Sequence, residues 1–215
     1  LHAWSATWTG DIGGKLDSLG SILNLAFAAQ SWNTNDMAVA NPEMFHFSYL
    51  LPLAQINGYG SFNQPWLQRR DVLAQHVVYS RLRARLIPYL YTWAHDSTVT
   101  GCPLVRPLVL EFPDDPACRT VMHQYLLGRD LMVVVARREA YFPAGSWVDF
   151  WTGERVQGGG TQPISWPADR AGGLYLRAGA IVPLAPVMQY RGERPADEME
   201  LLLVPEATES TLDLY

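Results

Sequence analysis

Only two cysteines, Cys102 and Cys118, occur in the 215 residues. Neither a disulfide framework nor a cysteine-based zinc site organises the chain, and both thiols read as small buried or half-buried side chains. No apolar run is long enough to span a bilayer, and Leu1-His2-Ala3-Trp4 carries neither an initiator methionine nor a signal-peptide pattern. The expectation is a piece of something longer, and no address for a compartment is legible. A uniformly cationic face is missing as well: the net charge is -5 with both signs interspersed. That argues against nucleic acid and membrane surfaces as partners and points to a neutral ligand. What is plentiful is apolar and aromatic: 48% of the residues are hydrophobic, enough for one large domain or one and a half. Several of the eight tryptophans, among them Trp8, Trp32, Trp66 and Trp151, sit in Gly/Asn/Asp contexts. Such contexts suit a saccharide site, although Trp is also an ordinary core residue.

The stretch Trp8-Thr9-Gly10-Asp11-Ile12-Gly13-Gly14 sets an indole close to a carboxyl group within a backbone free to turn. Apolar faces of a sugar ring stack on Trp, and a carboxyl in a poorly hydrated pocket keeps a proton it can donate to a departing oxygen. Two readings of Asp11 fit these residues: that proton donor, or a residue that only shapes a Gly-rich turn before a helix.

Past the glycines, Leu19, Ile22, Leu23, Ala26 and Phe27 recur at helical spacing behind a cap at Asp17 or Ser18. Residues 31–37 read as a short strand ending in Asn35-Asp36. At the carboxyl end of a strand in an α/β barrel, Asp36 would face the same mouth as Asp11; as a turn residue it would only cap. Helices are expected over 43–55 and 68–87, the second ended or kinked by Pro88, with the polar, aromatic loop 57–66 between them. Arg69, Arg70, Arg81, Arg83 and Arg85 read as a solvated or ion-paired helix face, and His76 and His95 as packing or surface residues. Residues 104–112 read as a strand in which Arg106 must find a carboxylate or water, and 117–127 as a short helix. Beyond that, short strands between Gly/Pro turns argue for an antiparallel β-sandwich, with the change of grammar between residues 120 and 130.

Taken together, several separated stretches resemble glycoside hydrolase family 31, the α-glucosidase and α-xylosidase family. They are Trp8-Thr9-Gly10-Asp11, the 82–91 run Leu-Arg-Ala-Arg-Leu-Ile-Pro-Tyr-Leu-Tyr, Gly101-Cys102-Pro103 with Arg106-Pro107, the 141–153 segment, and 177–183. The resemblance implies the C-terminal portion of a (β/α)8 barrel over 1–122, a proximal antiparallel β-sandwich over 123–198, and the start of a distal β domain over 199–215. It implies a retaining α-glycosidase with Asp11 as general acid/base, Trp8 walling the sugar subsite, Asp36 on hydroxyls of the non-reducing ring, and Asn57 and Trp66 on the rim. Two departures leave the sugar open among glucose, xylose, galactose and others. The family's Asp-x-Gly-Gly-Phe is here Asp36-Met37-Ala38-Val39-Ala40, and its substrate-contacting histidine falls on Asn57.

Such enzymes use two carboxyl groups about 5 to 5.5 Å apart and need neither metal nor organic cofactor. The family's nucleophile lies on an earlier strand, and none of the ten residues before Asp11 is a carboxylate. The remaining N-terminal part is therefore an expected partner, alongside an oligosaccharide or α-glycoside substrate. Two alternatives stay open: a non-catalytic carbohydrate-binding fragment, and an α-transglycosylase.

Overall fold

The computed structural model describes residues 6–8, 16, 18–38, 41–53, 55–56, 64–190, 192–193, 195 and 198–215, with backbone only at 6–8 and 33–34. Its first half is built from parallel strand pairs joined through helices. Strand β1 (Ala6–Trp8) runs parallel to β2 (Trp32–Thr34), Ala6 opposite Trp32 and Trp8 opposite Thr34. Parallel strands cannot be joined by a tight turn, and the crossover here is α1 (Ser18–Phe27), which buries Leu19, Ile22, Leu23 and Ala26. Phe27, expected on that face, is instead exposed. Asn35 separates β2 from β3 (Asp36–Met37), which pairs in parallel with β4 (Gln55–Ile56) across α2 (Pro42–Tyr49). Helix α2 begins where the Asn41 side chain accepts the Glu43 N–H at 3.0 Å and Pro42 occupies a position that needs no donor. It is shorter than the 43–55 expected.

A 3-10 turn, Pro65–Leu67, leads into α3 (Arg70–Arg85) and, after Leu86 alone, α4 (Ile87–Thr100). Pro88 lies in the first turn of α4, where a missing N–H leaves no gap, so it separates two helices rather than kinking one. Gly101, at φ +76°, closes α4 with its N–H on Ser97 O.

Two expectations are corrected in the following stretch. In place of a strand over 104–112 there is a two-residue β5 (Val105–Arg106) and a helical turn α5 (Leu108–Glu111). Pro107 cannot donate to a sheet ladder and stands as the cap of α5. In place of a helix over 117–127 there is a 3-10 turn, Pro116–Arg119, and strand β6 (Gln124–Leu127). Pairing of β6 with strands on both sides outweighs its local helical propensity.

The remaining strands are β7 (Leu131–Val134), β8 (Glu139–Phe142), β9 (Ser146–Asp149), β10 (Arg155–Gln157), β11 (Gly160–Pro163), β12 (Gly173–Arg177), β13 (Ile181–Leu184) and β14 (Glu200–Leu203). A six-stranded antiparallel sheet runs in the order β10-β9-β12-β7-β6-β5, with β8 paired to β11 and β13 to β14. Successive side chains of a strand face opposite ways, and that alternation sorts the sheet into two cores. Tyr125, Leu127, Leu131, Val133, Leu174 and Leu176 pack with Tyr79, Tyr89 and Trp93 of the helices. Leu126, Met132, Val134 and Tyr175 pack with Phe142, Trp147 and Cys118 on the other side. Burial pushes the Cys118 thiol up to about 12, as an inert core residue requires. On β14, Leu201 and Leu203 remain 55% and 54% exposed.

Hydroxyl groups close the seam between helices and sheet. Tyr89 Oη donates to Leu127 O at 2.7 Å and accepts the Asp130 N–H; Tyr125 Oη donates to Leu50 O at 3.0 Å. Tyr79 Oη accepts the Ala171 N–H at 2.9 Å and meets His46 Nδ1 at 3.1 Å, while His46 Nε2 lies 3.1 Å from Gly173 O. A carbonyl only accepts, so Nε2 carries the proton and Nδ1 accepts from Tyr79, leaving no hydrogen unpaired. Gly172 lets His46 approach: a Cβ there would lie 2.1 Å from its ring.

Burial lowers the His46 pKa from 6.5 to about 4. As the pH falls from 6.5 to 4, the unfolded chain takes up a proton that the folded chain refuses. Stability conferred by this site is full above pH 6.5 and declines through that window by about 3 kcal/mol. Urea unfolding from pH 7.5 to 4.5 should show His46→Gln losing this component of the pH dependence; an unchanged slope would mean that His46 titrates normally.

Candidate active site

Because β1 and β2 are parallel with Trp8 opposite Thr34, the chain leaves both strands at the same edge. Asp11 follows Trp8 by three residues, and Asn57 follows the end of β4 by one. Asp11 and Asn57 lie outside the described residues, as does the Trp8 side chain. Asp36 is described: it is buried in β3, opposite Gln55, whose Nε2 donates to Asp36 Oδ1 at 2.9 Å. Its neighbour Asn35 is fully buried and accepts the Ser48 hydroxyl of α2 at 2.8 Å. Strand-end polar residues are thus fixed from two sides, by the adjoining strand and by the crossover helix. Trp66 is 71% exposed on the 3-10 turn ahead of α3.

The link from α2 to β4 depends on a buried cation. The Arg83 guanidinium donates to the carbonyls of Tyr49, Leu51 and Pro52, acceptors that the end of a short helix leaves unpaired. Burial draws Arg83 down to about 10, still protonated at neutrality, and pushes the Tyr49 hydroxyl up to about 12. The solvated arginine face expected of this helix is therefore corrected for Arg83, which faces the core. Arg85 meets the expectation of an ion pair through Glu200 across the seam to β14, and its Nε also donates to Ala185 O. Arg69 fits the expectation, paired with Asp71 at 2.6 Å on the surface. His76 packs edge-on to Phe45 and Tyr49, and His95 stacks on Tyr215 with centroids 3.6 Å apart.

Arg106 finds carboxylates. It is 2% exposed, lies 4.9 Å above the Trp93 ring, donates through Nε to Pro103 O, and pairs with Glu111 and Asp96. Sequence reasoning had not singled out His46, Gln55 or Glu111. A signal existed for Arg83 and His46: Arg83 shares a helix face with Tyr79 and Leu86, and His46 stands among Met44, Phe45 and Phe47.

The described residues thus form parallel strand pairs joined through helices, with buried Asn35 and Asp36 where β2 passes into β3, followed by a six-stranded antiparallel sheet. Residues 101–182 match the glycosyl hydrolase family 31 C-terminal domain. An α-xylosidase of Saccharolobus solfataricus is 28% identical over 223 residues, covering 93% of this chain and 30% of its own length. Alpha-glucosidase 2 of Bacillus thermoamyloliquefaciens is 36% identical over 115 residues, covering 51% of this chain and 14% of its own. The crystal structure of a family 31 α-xylosidase from Xanthomonas citri superposes with a TM-score of 0.80 at 28% identity, over 90% of this chain and 24% of its own. Residues 101–182 thus match the C-terminal domain of glycoside hydrolase family 31, most of the chain is similar to enzymes of that family, and it spans under a third of the length of these relatives.

Arg83→Met should lower the unfolding free energy by about 2–4 kcal/mol, because buried carbonyls lose their donor. Arg69→Met, at an exposed pair, should stay within about 0.5 kcal/mol of wild type. Urea unfolding of the two variants side by side tests this, and equal effects would contradict the role assigned to Arg83.

Proposed function

We propose that this chain is part of a retaining α-glycosidase, contributing the acid/base half of the site. In this reading β1, β2, β3 and β4 with α1 and α2 are units of a (β/α)8 barrel within 1–122. Residues 123–198 form the proximal β-sandwich, and 199–215 open a distal β domain. The observation that carries the reading is the parallel register of Trp8 with Thr34 and Asp36 with Gln55, in a chain related to family 31 enzymes. In such a barrel, ligand groups gather at the carboxyl ends of strands.

Asp11, as the protonated acid, would give its proton to the departing glycosidic oxygen while a carboxylate on an earlier strand attacks the anomeric carbon. It would then take a proton from water as the glycosyl–enzyme bond is hydrolysed. Trp8 would wall the sugar ring. Asp36, oriented by Gln55 Nε2 at 2.9 Å, would accept hydrogen bonds from ring hydroxyls, and a fixed acceptor discriminates between sugars better than a mobile one. Asn57 and Trp66 would form the rim. Two carboxyl groups supply all the proton and nucleophile chemistry that this mechanism needs.

In the full-length protein, Asp11→Asn should depress turnover of alkyl or disaccharide α-glycosides by about 10²–10⁴-fold. It should largely spare the first step on aryl glycosides whose leaving groups need no proton. Steady-state and burst kinetics on both substrate classes decide this, since equal losses would remove the acid role from Asp11. The 215-residue polypeptide alone, without a nucleophile before Asp11, should not turn over aryl α-glycosides; measurable hydrolysis by it would refute the division of the site.

A further inference from the structure

A cleft of about 410 Å³ opens between the 128–130 turn joining β6 to β7 and the segment after β14. Arg129, Asp130 and Arg177 line one side, Glu206, Thr208 and Ser210 the other, and Trp93 of α4 also borders it. Its walls are fixed. Gly179 N–H donates to Val204 O and Val204 N–H to Ala180 O, both within 3.0 Å. Gly179, at φ +82°, leaves room for Ser210 Oγ and Glu206 Oε2, which a Cβ would meet at 2.7 and 3.0 Å. Further along, the Tyr215 N–H donates to Thr92 Oγ1 of α4 at 3.2 Å.

Two guanidiniums at this cleft share one carboxylate oxygen. Arg129 and Arg177 approach a single carboxylate oxygen, Glu111 Oε2, at 3.5 and 3.7 Å, while Arg106 takes Oε1. Two five-donor guanidiniums on one distant oxygen retain N–H groups to give. Trp93 is nine-tenths buried, its Nε1 has no partner among the described residues, and the indole edge lies against Gly128, where a Cβ would come within 2.6 Å of Nε1. A buried N–H without an acceptor is unusual enough to need an explanation.

The mixture of charges selects the ligand. An anion drawn by Arg129 and Arg177 would meet Asp130, Glu206 and Glu209, and a cation would meet the arginines. Among the described residues no group of three His, Cys, Asp or Glu is placed to hold a metal. A neutral polyol uses both signs, its hydroxyls accepting from guanidinium and donating to carboxylates, and the volume falls within the usual range for small-ligand pockets, about 300–1,000 Å³. We propose that this cleft is a second saccharide-binding site, for a neutral sugar of one or two rings, sharing no residue with Asp11, Trp8, Asp36, Asn57 or Trp66. It does not depend on the acid/base assignment.

The test is calorimetric titration of the full chain with glucose, xylose, maltose and isomaltose, and with inorganic phosphate as the charged control. At least one sugar should bind with a Kd of about 10 mM or tighter. Binding should weaken at least about tenfold in Arg129→Ala/Thr208→Ala, with its melting temperature checked, and persist in Asp36→Asn. The Trp93 indole N–H resonance, assigned through Trp93→Phe, should move on titration. Absence of sugar binding, binding of phosphate alone, or binding lost in Asp36→Asn but not in the double variant would each overturn the proposal. None of these outcomes bears on whether Asp11→Asn loses activity.

Discussion

The architecture depends on hydrogen bonds made by side chains where two unlike kinds of secondary structure meet. Helices satisfy their own backbones and sheets satisfy theirs, so nothing in either fixes how one sits on the other except packing, which is nondirectional. Tyr79, Tyr89 and Tyr125 supply the direction by carrying hydroxyls through the apolar layer to backbone groups at Ala171, Leu127 and Leu50. Burial raises the pKa of all three well above the ordinary phenol value, so they stay neutral hydrogen-bonding groups wherever the protein is folded. His46 joins the set as a neutral imidazole for the same reason: a charge there would have to be desolvated without a counter-ion.

From that seam the proposed active site inherits its order. Tyr125 fixes Leu50 at the end of α2, Arg83 gathers the carbonyls that follow, and the chain then enters β4, where Gln55 meets Asp36. A residue expected to touch sugar is thus connected, through a few directional bonds, to a sheet that touches none. Coupling of this kind explains how a β domain and strand-end residues belong to one structural unit.

Much of this was legible in the sequence where local chemistry decides conformation. Apolar spacing located α1, Pro88 marked the boundary of the helix before it, and Gly/Pro turns bounded the later strands. The reading went astray where a single residue or a distant partner decides. Pro107 ended a strand that hydrophobicity alone would have extended, and β6 became a strand because β5 and β7 flank it. Arg106 was expected to seek a carboxylate, and does, but which carboxylate is a matter of tertiary placement. Arg83 faces the core because helical phase, rather than charge, decides which side of α3 it occupies. Gln55 gave no local sign at all, because its role exists only once two parallel strands are in register.

The leucines at positions 201 and 203 of β14 have a further consequence. Among the described residues this strand has a single hydrogen-bonded neighbour, and both leucines show water an apolar surface. Its one charged residue, Glu200, is paired with Arg85, which leaves a modest overall negative charge to repel an identical chain, and a strand margin of this kind accepts another strand readily. Purified by itself, the polypeptide will be prone to stick to its own kind as it is concentrated, and salt, by muting that charge, will worsen the clumping.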